Sequence, residues 1–204
     1  MNRGEIRDAV KQRMAIPSTG DGQLTDAVLN SLINQALTVI SGEHDWPWLL
    51  TSTTVTFSPS TASLPSDFIK SRALIYNTLP VQWVQLEDFL DPDRFFAPFS
   101  WTIIGATAQV TPAPTSNIAT TLYYYRREPD LSADGSTPLM PSLFHNLIVA
   151  YTTYLAAMVR QDEGRAAVHM ADYNMLLNNM RDDLTQSTTR RIRYDRSFQY
   201  ATWQ

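Results

Sequence analysis

DWPWLLTSTTVTF, residues 45–57, is where the hydrophobic period of the chain changes, and that change decides the fold. On its amino-terminal side Val28, Leu29, Leu32, Ile33, Ala36, Leu37 and Ile40 recur at three- and four-residue spacing. Thr25 or Asp26 can cap this stripe and Gly42 can stop it, which predicts a helix over 25–42. On its carboxyl-terminal side Thr51–Phe57 is rich in β-branched residues, which lose rotamer freedom in a helix and pack well on a pleated surface. A strand is predicted there.

Working outward, Ile6, Ala9, Val10 and Met14 mark a short amphipathic helix over 3–15, ended by Pro17, Gly20 and Gly22. After the first strand, the SPST turn leads to a short partner at 62–65, and residues 68–76 and 81–86 read as further strands interrupted by Pro80. Residues 87–95 are at most a short helix or an irregular arm. Residues 101–105 and 108–111 form a hairpin pattern, and 120–126 is a strand with tyrosines on both faces. Residues 129–138 read as a linker around Asp134-Gly135. Beyond it Leu143, Phe144, Leu147, Ile148, Tyr151, Tyr154, Leu155 and Met158 describe a helix apolar around most of its circumference, with Pro141 in the first turn. Gly164 marks a turn, and Ala166, Met170, Tyr173, Leu177, Met180 and Leu184 give the last helix its seam. The fold class is therefore α+β: a helical core of about four helices with an inserted antiparallel β block and an extended C-terminal tail. The segments are 1–45 and 138–189 as the two helix pairs of the core, 46–137 as the β-rich insertion and 190–204 as a docking tail.

Composition narrows the function. At 204 residues the chain can bury a sizeable core without staples, and no apolar run approaches the ~20 residues that cross a bilayer, so no membrane partner is expected. Zero cysteines exclude thiol catalysis and cysteine-ligated metals. The formal net charge of −4 hides an asymmetry, because residues 190–204 carry four arginines against Asp195, which leaves −7 on residues 1–189. A body of that sign does not attract a polyanion over its whole surface.

No catalytic or cofactor-binding constellation stands out. The seven glycines are scattered singly, so no loop offers several backbone donors to a nucleotide. His44, His145 and His169 lie far apart, and the neighbours Glu43, His44 and Asp45 point in different directions, so no metal is expected. Asp91 and Asp93 lack the glycine and terminal glutamate of a calcium loop. Trp101, Tyr123, Tyr124 and Tyr125, with Arg126 and Arg127, could stack bases on a β surface, and with the arginine and aromatic tail of residues 190–204 they make a nucleic-acid-binding module the alternative function. The tail carries the more pointed signal. Arg190, Arg191, Arg193, Tyr194, Arg196, Phe198, Tyr200 and Trp203 are the residue types that dominate interface energetics, gathered where a solvated terminus would be poor in large aromatics. They are the candidate partner-binding residues, read as anchors along an extended docking segment laid on a neighbour.

The order of these elements resembles the head-to-tail adaptor proteins, also called connector or head-completion proteins, of tailed bacteriophages. The residues that carry the resemblance are Trp46-Pro47-Trp48-Leu49 closing the helix pair, Leu64-Pro65-Ser66-Asp67-Phe68, and residues 101–105 with 110–114. The strand 122–125 and Asp130-Leu131-Ser132 before the closing helices complete it. The resemblance covers almost the whole chain. It implies a non-enzymatic virion protein without cofactors, assembled in the host cytoplasm and located at the head-tail interface. Such a protein binds the portal ring, extends the DNA channel and offers a platform to tail or nozzle proteins. It also implies a homo-oligomeric ring, usually a dodecamer, through which DNA passes without sequence-specific binding.

Overall fold

The computed structural model describes residues 1–17, 21–91 and 99–199, with side chains as far as Leu184. Among the described residues the chain runs α1 (Arg3–Arg13), α2 (Asp26–Glu43), β1 (Leu50–Phe57), β2 (Thr61–Ser63), β3 (Phe68–Tyr76), β4 (Leu79–Trp83) and α3 (Leu86–Phe89). It continues through β5 (Ser100–Ile104), β6 (Thr107–Thr111), β7 (Ile118–Arg126), α4 (His145–Val159) and α5 (Glu163–Gln199). These elements divide into two units, Met1–Leu37 with Asp130–Gln204, and Thr38–Pro129. The division falls earlier in the chain than 46 and 137. The last turn of α2 belongs with the strands, where the Ser41 hydroxyl accepts from the Glu128 backbone N–H at 3.1 Å and the buried Trp46 indole donates to the Ile40 carbonyl at 2.6 Å.

In the helical unit, α1 starts with a capping box. The Asn2 side chain accepts from the Glu5 N–H and the Glu5 carboxylate accepts from the Asn2 N–H, which satisfies two donors that the helix itself cannot. Its stripe of Ile6, Val10 and Met14 is fully buried, as are Leu29, Ile33 and Ala36 of α2. Helix α4 packs against both α1 and α5, and this central position accounts for its all-round apolar sequence. The eighteen residues Ser142–Val159 are apolar enough by composition to cross a membrane, yet half of them are buried inside the protein. On α5 the buried residues are Ala166, Tyr173, Leu177 and Met180, the seam expected from their spacing.

Three expectations change in this unit. Gly164 does not make the turn between the last helices; it lies in the first turn of α5. Gln161 takes the left-handed conformation at φ 57° instead, and Asp162 caps α5 by accepting from the Arg165 N–H at 3.1 Å. Residues 129–138 are not a loose linker, as shown below. The tail is not an extended segment from residue 190, because α5 remains helical to Gln199.

The second unit is a seven-stranded sheet in the order β1-β7-β3-β4-β5-β6-β2, antiparallel except between β4 and β5. The expected partner of β1 is corrected here: β2 pairs with β6, and β1 pairs with β7 from Leu50↔Tyr125 to Phe57↔Ile118. Strands β1 and β2 therefore stand at opposite ends of the order although residues 58–60 alone join them. The sheet must curl until its two edges approach; the Ser58 N–H donating to the Thr61 carbonyl at 2.9 Å ties the turn between them, and the Ser60 carbonyl accepting from the Val110 N–H at 2.9 Å extends the β2–β6 ladder. Alternation then places Val55, Phe57, Leu74, Trp101, Val110 and Leu122 inside as one buried cluster. Burying each of these side chains stabilises by about 2 kcal/mol. The β5–β6 hairpin forms as expected, with Gly105 at φ 60° in its two-residue turn.

Candidate partner-docking site

The terminal segment begins as a continuation of the α4–α5 pair. The tight turn at residues 160–162 makes the two helices antiparallel. Tyr173 meets Tyr151 with ring centroids 4.7 Å apart, and a shallow cleft lined by Leu143, Phe144, Leu147, Leu176, Met180 and Asp183 sets Asp183 level with the approach to α4. Helix α5 nevertheless continues for sixteen residues past that level, 184–199, a further ~24 Å. No turn of α4 remains there for it to pair with.

Arg190, Arg191, Arg193, Tyr194, Arg196 and Phe198 thus stand on helical backbone, where positions 190, 194 and 198 fall in one i, i+4 row. Their side chains, and the whole of Tyr200 and Trp203, lie outside the described residues. The extended-strand spacing of the anchors is replaced by a helical one up to residue 199.

The unit that carries this helix is fastened by a clamp that the sequence did not reveal. Asp134 accepts from Arg3 at 2.7 Å and from Arg7 in a two-pronged pair at 3.0 Å, and its backbone carbonyl accepts from the Gly4 N–H at 3.0 Å. Arg3 also donates to the Leu131 carbonyl at 2.8 Å, and the Asn34 side chain accepts from the Leu131 N–H at 2.9 Å. Hydrogen bonds from Arg7 and Arg3 hold the Asp134 carboxyl below the usual carboxylate range. Lys11, almost fully buried, reaches Asp26 at 2.6 Å, while Arg160 pairs with Asp21 and donates to the Met14 carbonyl at 3.1 Å. Two guanidinium groups on α1 one helical turn apart are the only sequence trace of the clamp; its partner lies more than a hundred residues away.

The alternative site on β7 is split by the pleat. Tyr123 is 41% exposed, whereas Tyr124 is 5% exposed and its hydroxyl donates to Asp67 at 3.0 Å. Burial, together with that hydrogen bond, pushes the Tyr124 phenol up to about 12. Tyr124 also stacks on Phe68 at 5.8 Å, so the middle ring of the three is core and a run of consecutive stacking platforms is not available. Trp101 is likewise buried.

The histidines are spread over both units. His145 is buried at the start of α4, with Nε2 at 2.9 Å from the Met140 carbonyl and Nδ1 at 2.6 Å from the Met1 amine. Burial lowers its pKa below the ordinary 6.5 of imidazole, and lowers that of His169 too. His44 stands edge-on to Trp46 at 4.9 Å, and Asp45 is engaged by Lys70 at 2.7 Å, so Glu43-His44-Asp45 is part of a helix end and its tryptophan turn. Among the described residues no three histidine or carboxylate side chains gather as a metal site would require; Asp93 lies outside those residues.

The mixed content, a helical unit and a seven-stranded β unit, accords with the adaptor resemblance, and the family model of the SU10 adaptor protein matches residues 1–196. The chain belongs to the SU10 adaptor protein family. The resemblance to phage head-to-tail adaptors is thereby borne out, and SU10 adaptor proteins are structural components of the phage, typically non-enzymatic. Family membership implies a virion component at the head-tail interface that interacts with portal and tail proteins. No curated protein matches the chain.

Proposed function

We propose that this SU10 adaptor protein binds the portal ring as a homo-oligomeric ring, a dodecamer in the usual arrangement, extends the DNA channel and presents a platform to tail or nozzle proteins. Assembly takes place in the host cytoplasm. DNA passes without sequence-specific recognition, in keeping with the −7 balance of residues 1–189. The observation that carries the reading is the reach of the family match, which runs through both units and includes Arg190, Arg191, Arg193, Tyr194 and Arg196. Those residues, with Phe198, Tyr200 and Trp203, form the portal- or neighbour-binding segment, and the helical course of α5 past Asp183 presents its first part to a partner.

Electron microscopy of the purified protein mixed with its cognate portal tests this. Rings stacked on the portal are expected, with little affinity for free DNA. Failure to associate with the portal, coupled with salt-sensitive binding to single-stranded DNA, would transfer the function to the nucleic-acid reading.

A further inference from the structure

Strand β3 is paired unequally on its two sides. From Phe68 to Ile75 it pairs with β7, whereas β4 meets only Leu74, Ile75 and Tyr76. Strand β4 then turns away, and its Gln82 and Trp83 pair with Ser100 and Trp101 of β5. Among the described residues, Phe68–Ala73 is left with one edge that has no ladder partner. Between the diverging strands opens a cleft of about 660 Å³.

The chemistry of the cleft is specific. Trp101 forms part of its buried wall, and Trp83, 47% exposed, stands edge-on to it with centroids 4.9 Å apart, while Ile69 and Val81 add aliphatic surface. Its charged lining is wholly cationic, Lys70 and Arg72. Lys70 has Asp45 as a partner, but Arg72 is exposed and makes no ion pair among the described residues. Two irregularities in the ladder, between Phe68 and Lys70 and between Ser71 and Ala73, fall in this same stretch.

Open edges invite another strand, and proteins restrict them with bulges and like charges. Here the charges discriminate among partners. A second copy offering the same edge would set Lys70 and Arg72 against their own equivalents, whereas an acidic strand would be attracted.

We propose that this seam takes an extended segment of a partner protein as an added strand. Its apolar side chains at alternate positions enter the cleft beside Trp83 and Trp101, and a carboxylate meets Arg72. A tryptophan and an arginine at the mouth of an apolar cleft are the residues expected to anchor such a contact. The inference goes beyond portal attachment by residues 190–204 and does not depend on it.

The test uses the full chain labelled with nitrogen-15 and a capped eight-residue peptide of alternating valine and threonine with two glutamates. A second peptide carries lysines in place of the glutamates. The acidic peptide is expected to shift the amides of residues 69–73 and the indoles of Trp83 and Trp101, and to slow amide exchange along that edge. The basic peptide is expected to bind about tenfold more weakly. Arg72→Glu, at an exposed position, should keep the thermal midpoint and reverse the preference. Equal binding of the two peptides, shifts located elsewhere, or no shift at about millimolar peptide would overturn the proposal. Repeating the titration on the chain lacking 190–204 should give the same shifts, so this result and the portal experiment can fail separately.

Discussion

Trp46 shows how one residue can serve two ends of the chain's logic. Its ring is fully buried and stacks on Trp48 at 5.1 Å, while its indole N–H caps a carbonyl in the last turn of α2. Trp46→Ala should therefore cost about 4 kcal/mol. Trp46→Phe, which keeps a ring but strands the Ile40 carbonyl, should cost about 1–3 kcal/mol, as read from urea unfolding. Titratable residues set the pH limits. Because the folded pKa of His145 lies below 6.5, the unfolded chain takes up a proton first as pH falls, so stability present above about 6.5 is lost on acidification. His169 and the depressed Asp134 act in the same direction. His145→Gln should flatten the acid side of a stability-against-pH curve without altering it at pH 8. Tyr124 works at the other end. Its phenol, raised to about 12, stays protonated in the folded state after the unfolded chain has begun to ionise, so stability falls as pH rises from about 10. Ultraviolet titration should show a late-ionising phenol that Tyr124→Phe removes.

At the scale of elements, legibility followed whether the information was local. The stripes of α1, α2, α4 and α5 and the β-branched run of β1 were readable because a helical period or a strand composition is written in neighbouring residues. Pairing was not: β2 seemed the partner of β1 because it follows it, yet β6 holds it. Turn chemistry was legible in part. Gly105 sits where a positive φ is needed, but Gly164 drew attention from Gln161 and the Asp162 cap beside it. The break after Tyr76 was legible but not its cause: Pro80 lies inside β4, and the turn is made by Asn77 and Thr78, both at positive φ, 48° and 68°. Thr is β-branched and strained in that region, whereas glycine is not. Thr78→Gly should raise stability by about 0.5 kcal/mol, the relief of left-handed strain less the added freedom of the unfolded chain, and Thr78→Val should bring no such gain. Thermal unfolding of the two variants decides it.

For the whole molecule, the buried residues of α5 among those described are Ala166, Tyr173, Leu177 and Met180, all before residue 184. Deleting 190–204 should thus shift the thermal midpoint little while abolishing ring formation or portal attachment. Outright unfolding of the truncated chain would make those residues core, and normal assembly would remove them as the docking segment. The candidate residues there were legible by composition alone, since density of arginine and aromatics needs no fold; the Asp134 clamp was not, since its halves are separated by most of the chain. That separation also has a consequence for synthesis. The helical unit is encoded in two pieces, so the apolar stripes of α1 and α2 leave the ribosome about a hundred residues before α4, a wait of ~5–20 s at ordinary elongation rates. The β unit cannot close during that interval either until Tyr125 emerges to meet Leu50. The nascent chain therefore passes most of its elongation with neither unit complete, and slower elongation lengthens the time its apolar stripes wait for their partners.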